Sequence, residues 1–116
     1  MSKISSGKLG EDIACKLLLN NGYKIITKNF HSKLGEIDIV AIDQDTLVFV
    51  EVKTRWSEKF GKPEEAVTLS KLAKIKRTGE YFCLLKPDYP KKQRIDVVAI
   101  EMEKGRVVSQ KIIKVD

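Results

Sequence analysis

One run of side chains in this sequence could do chemistry on a phosphate. Leu47-Val48-Phe49-Val50-Glu51-Val52-Lys53 is an apolar stretch that ends in a carboxylate and an ammonium two residues apart. Side chains alternate faces along a strand, so Val48, Val50 and Val52 share one face and Phe49, Glu51 and Lys53 the other. Glu51 and Lys53 then stand roughly 6.8 Å apart along the strand. If Gln44 and Asp45 form a turn, the upstream segment folds back, and Asp43 faces Thr46, Ile42 faces Leu47, Val40 faces Phe49 and Asp38 faces Glu51. The same register sets Glu36 opposite Lys53. Carboxylates directly across a ladder lie about 5 Å apart and repel by roughly 3 kcal/mol at an effective dielectric of about 20. A divalent cation between Asp38 and Glu51 would turn that repulsion into binding. Hard cations such as Mg²⁺ take one or two carboxylates and complete their shell with water and substrate phosphate. The turn lacks an Asn-Gly signal, and a one-residue bulge would move Asp38 to the other face. The alternative for Glu36, Asp38, Glu51 and Lys53 is a solvated, charge-paired sheet face.

The elements that must position these groups follow from periodicity. Residues 6 to 21 read as a helix, capped by Ser5 or Ser6, with Leu9, Ile13 and Leu17 on one face and Gly22 as its C-terminal cap. Tyr23 to Phe30, Leu34 to Ile42 and Thr46 to Lys53 read as strands, with a short loop at His31-Ser32-Lys33 and a turn at 43–45. Thr54 to Lys62 reads as a loop, and Pro63-Glu64-Glu65 as a short helical turn. Ser70 then caps a helix to about Leu85, with Leu72, Ile75, Phe82 and Leu85 as apolar members and Gly79 as a weak point. Arg94 to Met102 and Arg106 to Val115 complete the strands around a turn at Gly105. The helix between the third and fourth strands permits a parallel crossover. The expected fold is α/β, a mixed five-stranded sheet with helices packed on it, formed by residues 1–116 as one domain.

An internal echo joins Glu36-Ile37-Asp38-Ile39-Val40-Ala41-Ile42-Asp43 to Arg94-Ile95-Asp96-Val97-Val98-Ala99-Ile100-Glu101. Each has an Asp early in an apolar strand. The flanking segments do not match, so two buried strands with similar needs explain it better than duplication. Asp96 is expected to contact Arg94 or Arg55, since charges near a core are usually paired.

Composition bounds the rest. An apolar share of 42% against a charged share of 33% fits a folded globular chain, not a disordered one. No apolar run approaches the ~18 residues that a membrane helix needs. Met1 to Ser6 carry no apolar run of the kind a secretory signal has. Cys15 and Cys83 are not spaced as metal ligands and read as free thiols of a reducing, cytoplasmic setting. His31 is the single histidine, so a histidine-rich metal site is excluded, and it reads as an exposed loop residue. The net charge of +6 suggests a polyanionic partner. Lys71, Lys74 and Lys76-Arg77 could meet phosphates or form a solvated basic helix face. Trp56 suits a stacked base, a homodimer interface or plain loop packing.

Gly35-Glu36-Ile37-Asp38 followed by Glu51-Val52-Lys53-Thr54 resembles the active-site signature of the PD-(D/E)XK nuclease superfamily, and Gly10-Glu11 its upstream acidic motif. Thr54-Arg55, Phe60-Gly61, Pro63-Glu64-Glu65-Ala66-Val67, Lys71 and Arg94-Ile95-Asp96-Val97-Val98 extend the likeness. From Gly7 to about Glu101 the chain resembles the small bacterial YraN-like family, which is similar to archaeal Holliday junction resolvases. The resemblance implies a restriction-endonuclease-like αβββαβ core. It implies that Asp38, Glu51 and the Val52 carbonyl hold Mg²⁺ or Mn²⁺, with Lys53 activating water or stabilising charge and Glu11 completing the acidic cluster. Arg55, Lys71, Lys74 and Arg77 are the expected contacts to nucleic acid, DNA rather than RNA. Two functions of different class fit: a metal-dependent endonuclease acting on DNA, branched or structured forms included, and a nuclease-fold module that binds DNA in repair, recombination or uptake without turnover. Fold alone does not decide between them.

Overall fold

The computed structural model describes residues 6–56 and 61–115. One five-stranded sheet runs in chain order: β1 (Lys24–Ser32), β2 (Gly35–Asp43), β3 (Thr46–Arg55), β4 (Lys92–Glu103) and β5 (Arg106–Lys114). All neighbours are antiparallel except β3 and β4, which run parallel. That pairing follows from the crossover helix α2 (Leu69–Leu85), which lies between them in the chain. The remaining helix, α1 (Ser6–Asn20), precedes the sheet, and a 3-10 turn covers Pro63–Ala66. The expected α/β architecture is therefore present, a mixed sheet with α1 and α2 packed against it.

The alternation in β3 sorts the core. Val48 and Val50 join Ile39, Ala41, Val98 and Ile100 in the cluster that includes Ala14 and Leu18 of α1. Leu47 and Phe49 join Ile37, Val40 and Ile95 in the cluster that includes Ile75 and Phe82 of α2. On α1 the deepest row is Gly10, Ala14 and Leu18, while Leu9, Ile13 and Leu17 are only half-buried. Small residues let the helix approach the strands. A Cβ on Gly10 would stand 2.5 Å from the Thr54 hydroxyl, and one on Gly79 would stand 2.5 Å from the Phe49 ring. Gly79, a weak point by propensity, is thus where α2 meets the sheet.

Several boundaries differ from the sequence expectation. Thr68, not Ser70, caps α2, its hydroxyl accepting from the Lys71 N–H at 3.2 Å. Leu85, at the last position of α2, is exposed rather than an apolar core member. The loop expected at 31–33 is largely strand: His31 and Ser32 belong to β1, and Lys33 and Leu34 form the turn. β3 continues to Arg55 because β4 pairs with it that far. The cap expected of Ser5 or Ser6 and the 57–60 part of the expected loop lie outside what is described. Among the described residues, no helix is long and apolar enough to cross a membrane.

Candidate active site

The β2–β3 hairpin follows the expected register from Asp43↔Thr46 to Ile39↔Val50, and there the ladder stops. Asp38 is not a ladder partner of Glu51, and Glu36 does not face Lys53. The cause is an irregularity at Asp38. Ile37 and Val40 share the α2 face although they are three residues apart, so the alternation slips between them. On the β1 side the register shift lies further back, between Ile25 and Thr27, and the pairing runs unbroken through Lys28↔Ile39 and Phe30↔Ile37. Between them Asn29 takes φ +56°, a value uncommon outside glycine. Glu36 instead meets His31, with Nδ1 and Oε2 3.0 Å apart on the exposed β1–β2 hairpin.

The slip frees the Asp38 side chain to do a ladder's work. Its Oδ2 accepts from the Val52 N–H at 2.8 Å, a bond that would fall to Ile37 in a continued register. In an extended strand a residue's N–H and C=O point to the same edge, so the Val52 carbonyl also faces this opened edge. Across from it, β3 stays paired to β4 through Glu51↔Val97 and Lys53↔Ala99, which holds the segment straight.

Asp38 lies where two clefts meet. One, of about 360 Å³, runs between the β1–β2 hairpin and α2 and is lined by Asp38, Glu51, Lys71, Lys74 and His31. The other, of about 340 Å³, is lined by Glu11, Asp38, Val52, Lys53 and Trp56. The close approach of Gly10 to Thr54 carries Glu11 to this second cleft. Trp56 stands on its rim, 44% exposed.

The electrostatics are those of a site short of positive charge. Glu51 is 6% exposed, which removes the solvated-face alternative for it. Its Oε1 is held by Lys71 Nζ at 2.9 Å. The Asp38 carboxyl is pushed up to about 6, first by burial and then by the charge of Glu51, against the pull of the Val52 N–H. Burial pulls the Lys53 ammonium down, and Lys71 beside it adds to that. Lys71 is shifted up by its hydrogen bond to Glu51. Glu11 Oε1 is buried without a partner.

The predicted residues therefore divide. Glu11, Asp38, Glu51, Val52, Lys53, Lys71 and Lys74 come together around the clefts. Arg55 lines neither cleft, its Cα pairing with Glu101, and Arg77 is exposed on α2 away from both. Among the described residues no three of His, Cys, Asp and Glu form a ready metal-holding group. Two carboxylates and a carbonyl at an open edge are still a donor set that Mg²⁺ accepts. The orphaned Glu11 oxygen and the raised Asp38 pKa are what such a cation would relieve. The residues fit the ion. The Lys71–Glu51 pair was missed in sequence, where Lys71 read as a phosphate contact or part of a solvated basic helix face. Asp96 lies apart from the site, fully buried and bound to Arg94 as expected.

An α/β protein with this cleft at the opened hairpin of a mixed sheet matches one family model over residues 10–100, that of the Uncharacterised protein family UPF0102. The chain belongs to this family. It is 48% identical to a UPF0102 protein of Thermodesulfovibrio yellowstonii, across 90% of this chain and 92% of that one. It is 44% identical to one of Caldicellulosiruptor saccharolyticus, across 98% of both chains. With one of Clostridium perfringens it shares 45% identity, across 83% of this chain and 79% of the relative.

Proposed function

We propose that this protein is a divalent-metal-dependent endonuclease that hydrolyses phosphodiester bonds in DNA, branched or structured forms included. In this reading it is a PD-(D/E)XK enzyme similar to archaeal Holliday junction resolvases. The observation that carries it is a buried Glu51 and a half-buried Asp38, its carboxyl pushed up, at an opened strand edge beside Lys53. Lys71 and the Val52 N–H offset part of the desolvation of these carboxylates, and carboxylates perturbed in this way beside a cleft are where a functional site is sought.

Asp38, Glu51 and the Val52 carbonyl would hold Mg²⁺ or Mn²⁺, with Glu11 closing the acidic side. Bound there, the cation would act as a Lewis acid on the phosphate and lower the pKa of its water. Lys53, its ammonium pulled down by burial, would orient the attacking water or steady the charge that develops. Lys71 and Lys74, which line one cleft, would flank the polymer. The lysines that line the clefts would meet the phosphate backbone, contacts that position a nucleic acid without reading its sequence. Two free cysteines fit action in the reducing cytoplasm.

The test begins with Mn²⁺ and linear, branched and single-stranded DNA. Lys53→Ala should lower the single-turnover cleavage rate by about 10²-fold or more while DNA affinity changes little. Asp38→Asn with Glu51→Gln should abolish Mn²⁺ binding in calorimetry. Equal cleavage by Lys53→Ala, or equal Mn²⁺ affinity in the double variant, would overturn the assignment. DNA binding with no cleavage of any substrate by the wild type would favour the silent binding module.

A further inference from the structure

Lys71 sits where local physics disfavours it. Thr68 is the cap of α2, so Lys71 occupies the third helical position, its backbone N–H bound by the cap hydroxyl. That position favours Glu or Gln, and a cation in a first turn opposes the helix dipole. The first turn of α2 carries no acidic residue to offset it. What holds the ammonium there is Glu51, at 2.9 Å, on a different element. Glu51 is nearly buried, yet the Lys71 side chain is 41% exposed and lines the cleft beside Lys74. Lys53 lies beside it, and the charge of Lys71 helps to pull the Lys53 ammonium down.

We propose that Lys71 is an exchangeable counter-ion: it neutralises Glu51 in the metal-free protein, and when a divalent cation takes Glu51 it swings to a substrate phosphate in the cleft beside Lys74. This rests on the metal-site reading above. The flexible four-carbon stem lets a lysine ammonium relocate by several ångströms without moving the backbone. The exchange couples cation uptake to nucleic-acid binding. Without the cation the carboxylate and ammonium cancel, and the cleft offers little net attraction at this point. With the cation the cleft gains one free ammonium aimed at the polymer. Lys74, which lines the same cleft without an ion pair to Glu51, stays on the phosphate side throughout.

The experiment is calorimetric titration of the full chain with Mn²⁺ and no DNA. Lys71→Met and Lys71→Gln remove the competitor and should each bind Mn²⁺ about tenfold more tightly than wild type. Lys74→Met removes a nearby charge of the same sign and should change affinity by less than about threefold, as screened, unpaired charges do. Far-ultraviolet circular dichroism establishes which variants are folded, and either Lys71 variant suffices. DNA affinity is then measured against salt with Ca²⁺ in place of Mn²⁺. The wild-type slope of log K against log [salt] should steepen by about 0.9 on adding Ca²⁺, one more phosphate neutralised. Lys71→Met should show no such steepening. Mn²⁺ affinity that is unchanged or weaker in both Lys71 variants, with wild type binding the ion, overturns the exchange and leaves the metal site standing. No Mn²⁺ binding by any of the chains overturns the metal site and the exchange together.

Discussion

At the scale of single residues, Asp38 makes the sharpest commitment. Its carboxyl titrates near 6 in the folded chain, raised by burial and by Glu51, against 3.8 for an ordinary aspartate. A group with a raised folded pKa binds more protons folded than unfolded between those two values. It therefore contributes stability that is fully present below about pH 4 and lost as pH rises through about 6. Above that range the ionised carboxylate costs the metal-free protein on the order of 3 kcal/mol. Asp38→Asn should accordingly raise metal-free stability at pH 8 by up to that amount, with the gain fading toward pH 4, because an asparagine oxygen can still accept from the Val52 N–H. Urea denaturation at several pH values measures this. A destabilised variant at pH 8 would mean that the charge on Asp38 is held favourably. The sequence showed which residue types meet here, since alternation in β3 places Glu51 and Lys53 on one face. It did not show Lys71 against Glu51, because that contact depends on how α2 is docked, and no local spacing encodes it.

At the scale of elements, the hairpin register was readable up to Ile39↔Val50, because a two-residue turn and apolar alternation fix it. Beyond that point the ladder bond is made by a side chain, and no hydropathy pattern distinguishes a carboxylate oxygen from a carbonyl. Asn29 in its left-handed conformation gave no signal either, lying in a stretch that reads as plain strand. The helices were legible as helices, but the contact points were not. Propensity alone marks Gly79 as a defect worth about 1 kcal/mol against alanine. The structure reverses this, since an added Cβ would stand 2.5 Å from Phe49. Gly79→Ala should therefore destabilise by about 1–3 kcal/mol, overpacking outweighing the helix gain. Chemical denaturation decides the sign, and a stabilised variant would show that α2 shifts outward at little cost.

At the scale of the whole molecule, the sheet carries two charged centres, and the echoed sequence segments each contribute an aspartate to one of them. Asp96 belongs to the α1 side of the sheet and is fully satisfied. Arg94 binds both its oxygens at 2.7 and 3.0 Å, the Tyr23 hydroxyl donates to it at 2.6 Å, and Arg94 reaches on to Asp43 at 2.8 Å. This network ties the start of the sheet, the end of β2 and β4 together. Asp38, the echo partner, has a single backbone donor and two neighbouring carboxylates that raise its pKa. The same residue type in like strands thus serves cohesion in one place and, in the proposed function, would hold a ligand in the other. The difference is separable by experiment. Arg94→Met would leave Asp96 buried and unpaired, and should destabilise by roughly 3–5 kcal/mol. In the fraction that remains folded, Mn²⁺ affinity should be unchanged, since Arg94 lines neither of the clefts at Asp38. Glu51→Gln should do the converse, losing Mn²⁺ affinity while changing stability far less, because the amide can keep a hydrogen bond from Lys71. Paired melting and Mn²⁺ titration of the two variants checks both halves. If Arg94→Met weakened Mn²⁺ binding in folded protein as much as Glu51→Gln does, the two centres would be one coupled network, and the cohesive role given to Asp96 would have to be withdrawn.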